Sequence, residues 1–263
     1  MGYLRLRQIC LVARDLAPVE AKLTAILGTE VCYRDPGVGK YGLHNALWAL
    51  DGTFLEVVAP KDPKSDTAAG RYLDRRKGDG GYMYILDCDD LDARREHFKA
   101  MDVRMVQDLH SGDETLWSEA IHLHPRDTGG CLLSIDRHSG GENTMGGYKW
   151  AGPSWQEKVN PDIVITGATM QCDDPEAVAE RWGLILRRPV LDAGDNVRVM
   201  NVDNAEARFT PLADDRGEGE TEVYLRCADA GAVLAAAERE KARTGEINGK
   251  PFFEACGVRF LLV

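Results

Sequence analysis

No apolar run in the 263 residues approaches the roughly 20 that span a bilayer. Residues 1–16 alternate charged and apolar side chains and contain no signal-peptide core. No CxxC pair occurs. The seven cysteines (Cys10, Cys32, Cys88, Cys131, Cys172, Cys227 and Cys256) are odd in number and scattered, which argues against a disulfide framework or zinc knuckle and for a reduced, cytoplasmic chain. There is no Walker loop, no GxGxxG after a strand and no GxSxG elbow, so neither a nucleotide cofactor nor a nucleophile elbow is indicated. Positive charge is scarce: 32 Lys+Arg stand against 43 Asp+Glu, a net charge of -11. Such a surface repels phosphate backbones and anionic membranes. The expected partner is a small-molecule substrate, with no nucleic acid and no membrane; a homodimer is left open.

What is present is a repeat. Four times a strand-like run meets a turn and then a helix: residues 4–13 before a helix at about 18–27, 82–88 before one ending near 101, 163–172 before one ending near 182, and 222–227 before one ending near 242. Asp15, Asp90, Asp174 and Asp229 are placed to accept from the free N–H groups of each first helical turn. Gly28 and Gly183 stand where two of the helices should stop. About three short strands follow each helix: 30–34, 43–50 and 53–59 in the first unit; 103–109, 116–124 and 130–136 in the second; 184–191, 196–202 and 205–211 in the third. The fourth unit is compressed and ends in 258–263. Each unit reads βαβββ and exposes an apolar sheet face that a second unit must cover. Residues 61–81 read as a polar connector, and 139–161, rich in Gly and Trp, as a linker between halves or a lid whose Trp150 or Trp155 touches a ligand.

Residues 51–60 (DGTFLEVVAP), 67–84 (TAAGRYLDRRKGDGGYMY) and 122–136 (HLHPRDTGGCLLSID) sharpen this. With the fourfold repeat they resemble the vicinal oxygen chelate (glyoxalase/bleomycin resistance/dioxygenase) superfamily, and the N-terminal half resembles methylmalonyl-CoA epimerase-like members. The resemblance implies an α+β fold in which four βαβββ modules form two half-open barrels of paired modules. Residues 1–138 would then be one such domain carrying the active-site cup, 139–161 the linker or lid, and 162–263 a second, degenerate domain. It also implies a divalent metal in the cup, held by the first and last strands of each module and acting as a Lewis acid on a substrate's oxygens.

At those positions this chain offers Gln8, Glu56, one of Tyr82, Met83 and Tyr84, and Ser134. One carboxylate and one amide are a poor donor set for a hard divalent ion, so the expectation is no certain cofactor and no standard metal site. A divalent metal is kept open through His122 and His124, which at HxH spacing on a strand share a face and could join Glu56. The other reading of this pair is that His124 caps a strand end before Pro125 and His122 lies in a polar cleft. Glu56 sits in an apolar strand, where burial raises a carboxylate pKa and suits it to be a general base. Tyr84 and His122 are the further catalytic candidates; Gln8, His44, Trp48, Met83, Trp117, His124 and Ser134 are expected to line the substrate. Arg71, Arg75, Arg76 and Lys77 read either as a solvated helix face or as an attractor of an anionic substrate. His138 reads as a turn residue.

Three functions follow. The first is an isomerase, epimerase or lyase that moves a proton next to a carbonyl in a small carboxylic, aromatic-derived or acyl-CoA substrate. The second is a metal-free small-molecule binding protein of bleomycin-resistance type. The third is an extradiol-type dioxygenase, which needs iron and finds its histidine positions vacant.

Overall fold

A computed structural model describes residues 2–263; Met1 lies outside the described residues. The first half runs β1 (Leu4–Val12), α1 (Leu16–Leu27), β2 (Leu43–Leu50), β3 (Thr53–Pro60), α2 (Ala68–Arg75), β4 (Gly80–Cys88), α3 (Leu91–Ala100), β5 (Met105–Gly112), β6 (Trp117–Leu123), α4 (Pro125–Thr128) and β7 (Leu132–His138). The second runs β8 (Ile163–Cys172), α5 (Pro175–Leu186), β9 (Val190–Asp192), β10 (Arg198–Asn201), β11 (Glu206–Pro211), β12 (Gly219–Cys227), α6 (Ala230–Arg239), β13 (Thr244–Ile247), β14 (Lys250–Ala255) and β15 (Val258–Leu262). The strands form two curled sheets, ordered β2-β3-β1-β4-β7-β6-β5 and β13-β14-β15-β12-β8-β11-β10-β9. An antiparallel central pair, β1 with β4 and β8 with β12, joins first module to second and third to fourth. The class is α+β with paired βαβββ modules. No described helix is long and apolar enough to cross a membrane.

Helix starts follow the acidic turns. Asp15, Asp90, Asp174 and Asp229 accept from the backbone N–H of Ala17, Ala93, Ala177 and Ala232. Gly28 ends α1 in the left-handed region at φ 64°. Gly183 does not end α5. A Cβ there would meet Val190 at 2.8 Å, so its lack of a side chain lets β9 pack closely while the helix runs on to a left-handed Arg187. Residues 30–34 give only one bridge, Tyr33 to Leu47, so the first module lacks its expected second strand. The polar connector holds α2, and β7 extends to His138, which is buried and bonded to Ser118 at 2.7 Å.

One core unites the halves. Leu6, Ile9 and Leu11 of β1, Leu55 and Val57 of β3, and helices α1 and α3 pack with Ile165, Ala168 and Met170 of β8, helices α5 and α6, and Phe260 of β15. The opposite face of each sheet is its cup, turned away from this shared core. β3 is therefore buried along its whole length: Leu55, Val57 and Ala59 face the core, while Phe54, Glu56 and Val58 face the cup. In the first cup α2 covers one end through Ala69, Tyr72 and Leu73, and residues 139–161 cover the other through Tyr148, Ala151 and Trp155. Arg76 is fully buried and binds the carbonyls of Arg216 and Glu218, so it fastens the halves and is neither solvated nor a substrate contact.

Candidate functional site

Two β-bulges aim the side chains of the cup. β1 carries an extra residue, Arg7, between Leu6 and Gln8, and β4 carries one, Tyr82, between Gly81 and Met83. The bulges are symmetric, so Gln8 and Met83 are equivalent. Glu56 pairs with Cys10, and Ser134 with its counterpart Ile85. The four converging positions are thus Gln8, Glu56, Met83 and Ser134. Tyr84 falls on the other face, fully buried with its ring 5.6 Å from Trp182 of the second half. The bulge at Tyr82 resets the alternation and takes Tyr84 out of the cup.

Glu56 lies at the centre of a buried hydrogen-bonded chain. Its Oε1 accepts from Asn45 Nδ2 at 2.6 Å and its Oε2 from Gln8 Nε2 at 2.8 Å. Behind these amides, Asn45 Oδ1 accepts from the Asp35 backbone N–H at 2.9 Å and Gln8 Oε1 from the Tyr148 hydroxyl at 2.7 Å. Burial pushes the Glu56 pKa up, against the hydrogen bonds that hold it down, and the charge of Asp35 adds to the rise. A second carboxyl stands on the cup face of β7. Asp136 accepts from Ser134 Oγ at 2.6 Å and from Trp150 Nε1 at 3.0 Å, and burial pushes its pKa up to about 7.

His122 is half-buried on the cup face of β6, paired with Ser134 on β7 and Gln107 on β5. Burial, with the charge of Lys40, lowers its pKa to about 4, so the imidazole is neutral at physiological pH. His124 does not join it: β6 stops at Leu123, and His124 Nδ1 accepts from the Arg126 N–H at 3.1 Å to cap α4. On β2 the cup face is Leu43, Asn45, Leu47 and Ala49. His44 and Trp48 point the other way. His44 is exposed, while Trp48 is buried in the shared core with Nε1 3.0 Å from Thr24 of α1. Trp117 lies on the face of β6 opposite the cup, in phase with the core residue Ile121, and stacks with His110 and Arg137 in a separate cleft of about 440 Å³.

The residues brought together are therefore Gln8, Glu56, Met83, His122 and Ser134; His44, Trp48, Tyr84, Trp117 and His124 lie elsewhere. The sequence reading missed Asn45, Asp136 and Tyr148. Asn45 is a polar residue in phase with Leu43 and Leu47, and Asp136 is in phase with Ser134, so strand alternation carried a signal for both. Tyr148, 140 residues from Gln8, had none.

The donors do not fit a divalent metal. Each Glu56 oxygen already holds an amide, the Gln8 carbonyl holds a phenol, Met83 offers a soft thioether, and the Ser134 hydroxyl is spent on Asp136. Among the described residues no three His, Cys, Asp or Glu side chains are grouped to hold an ion.

The second cup obeys the same register, with extra residues Thr166 and Thr221 at the matching bulges. Its four positions are Gly167, Arg208, Glu222 and Leu261.

Several solved structures share this fold. A Mn(II)-bound glyoxalase from Novosphingobium aromaticivorans is 13% identical and superposes with a TM-score of 0.66 over 100% of this chain and 82% of that one. A triple mutant of 4-hydroxymandelate synthase from Streptomyces coelicolor is 11% identical, with a TM-score of 0.71 over 100% and 93%. Methylmalonyl-CoA epimerase from Mycobacterium tuberculosis is 24% identical, with a TM-score of 0.43 over 51% and 87%. No curated protein matches the chain by sequence. Residues 9–186, more than half of the chain, match the model of the glyoxalase-like domain, and the chain belongs to that family within the vicinal oxygen chelate superfamily.

Proposed function

We propose that the first cup is a proton-transfer site, acting next to a carbonyl on a small carboxylic, aromatic-derived or acyl-CoA substrate, with Glu56 as the base. The observation that carries this reading is a buried carboxylate on the cup face held by neutral donors, the amides of Gln8 and Asn45 and the thiol of Cys10, with no counter-ion. A carboxylate offers about four lone-pair sites. The two amides take two and the Cys10 thiol a third, which leaves one for a substrate proton. Desolvation brings the basicity of Glu56 closer to that of a carbon acid's conjugate base, which favours transfer. His122, neutral and half-buried on the same face, can donate to the oxygen on which charge develops.

The test is solvent deuterium uptake by a panel of 2-oxo acids, aryl carboxylates and acyl-CoA thioesters. Wild-type protein exchanges a substrate proton, and Glu56→Gln lowers that rate by about a hundredfold or more. Exchange that survives the substitution contradicts the assignment. The hydrogen-bonded chain around Glu56 also favours a second reading, a binding protein whose acid is only structural. In that case a ligand from the panel binds wild type and Glu56→Gln alike, and neither protein exchanges deuterium.

A further inference from the structure

The clamp on Glu56 has two arms, each a primary amide with one end on the carboxylate and the other fixed from behind. The two ends of such an amide are nearly the same size, and a half turn exchanges donor for acceptor. Only the NH₂ end can face an ionised oxygen; the flipped amide sets lone pair against lone pair. The Asn45 arm is fixed by a backbone N–H, from Asp35, which can only donate, and the whole arm lies in the first module. The Gln8 arm is fixed by a hydroxyl from outside that module. Tyr148 reaches in from the covering segment, 140 residues away, and donates to Gln8 Oε1 at 2.7 Å.

We propose that Tyr148 is a positioning residue for Glu56, acting through Gln8: its hydroxyl anchors Oε1 of the amide whose Nε2 end the carboxylate holds. This rests on the reading of Glu56 as the working acid–base group and extends the site to residues 139–161. The hydroxyl is held for the task. The Tyr148 ring stacks on Phe54 at 4.4 Å, meets the His138 ring edge-on at 4.6 Å, and carries the buried Arg7 guanidinium 4.9 Å from its centre. Arg7 Nη1 in turn donates to the Thr144 carbonyl at 2.6 Å, so β1 and the covering segment are fastened on both sides of the phenol. Gln8, Tyr148 and Glu56 are all buried, so water does not substitute for a lost donor.

The experiment is side-chain amide NMR of full-length protein, comparing wild type, Tyr148→Phe and Phe54→Leu. Tyr148→Phe keeps the ring stack and deletes only the hydroxyl. In wild type the two Gln8 amide protons are resolved and slow to exchange with solvent. In Tyr148→Phe they exchange at least tenfold faster, while the Asn45 amide protons keep their wild-type rate. Phe54→Leu loosens the packing but keeps the hydroxyl, and leaves Gln8 as in wild type. An unchanged Gln8 signal in Tyr148→Phe overturns the proposal. So does equal loosening in Phe54→Leu, which would mark a packing role. The readout needs no substrate, so it can hold even if Glu56→Gln shows that Glu56 does no chemistry. Once a substrate is found, Tyr148→Phe lowers kcat at least threefold and leaves KM unchanged; a change confined to KM contradicts positioning.

Discussion

At the position where the first cup turns Glu56 inward, the second turns Arg208. The strand register is the same and so are the bulges, yet the chemistry is opposite. Arg208 reaches Glu206 at 3.1 Å, and Glu222 reaches Arg259 at 2.8 Å while accepting from Thr169 at 2.7 Å. Charges in the second cup are answered by opposite charges, and its rim is partly exposed. Glu56 is answered by neutral donors alone, two amides and the Cys10 thiol, in a buried setting covered by residues 139–161. A counter-ion stabilises one protonation state, whereas amides in a dry site leave the proton affinity raised and the carboxylate usable. The fold positions four side chains in each half; the side chains decide whether that position does chemistry.

Substitutions that treat the two halves as one body have the largest expected effect. Trp182 of α5 lies against Tyr84 of β4 at 5.6 Å and Phe209 of β11 at 5.3 Å, so it packs both sheets. Trp182→Ala is expected to cost about 3–5 kcal/mol in urea unfolding, with one transition in both proteins. Two separated transitions would show that the halves are independent.

The next effect is on pH dependence. Glu220 of β12 is fully buried where β12 crosses β4, so close that a Cβ on Gly81 would lie 2.1 Å from its own. Burial raises its pKa from 4.5 to about 8. A raised carboxyl pKa stabilises the fold fully below the unfolded value, and the contribution is lost as pH rises to the folded value. Stability should therefore fall between about pH 4.5 and 8, with a slope of up to about 1.4 kcal/mol per unit from this group. Glu220→Gln is expected to flatten that part of a urea-midpoint profile. An unchanged slope would place the titration elsewhere, with Asp136 next in line.

Smaller again are the helix caps. Asp15→Ala, Asp90→Ala, Asp174→Ala and Asp229→Ala are each expected to cost about 1 kcal/mol, in either half, because each removes one acceptor from a first helical turn. A cap in one half costing several times more than its counterpart would break the equivalence of the modules. The smallest expected effect is none: excess Mn(II) should leave the melting midpoint unchanged, whereas a metal held by the folded cup would raise it.

Much of the fold was legible. Four acidic turns before four helices, each after a strand-like run, are local signals, and they lie where the caps form. Glu56 and Gln8 were legible too, because an in-phase polar residue in an apolar strand must face something. The errors arose where facing is set by more than alternation. Tyr84 left the cup because a bulge at Tyr82 shifts the phase; Trp48 and His44 lie out of phase with Asn45 on β2, where Trp48 packs under α1 and His44 is exposed. His124 was drawn to a helix N-terminus that the HxH spacing does not announce. Tyr148 comes from a Gly-rich segment whose path over the cup is set by long-range contacts with Arg7 and Phe54, which no local pattern encodes.

The most direct measurement compares the equivalent positions of the two cups. Solvent deuterium uptake into a substrate from the panel should fall about a hundredfold or more with Glu56→Gln and stay at the wild-type rate with Arg208→Ala. Loss in Arg208→Ala with retention in Glu56→Gln would move the chemistry to the second half and contradict the assignment of the first.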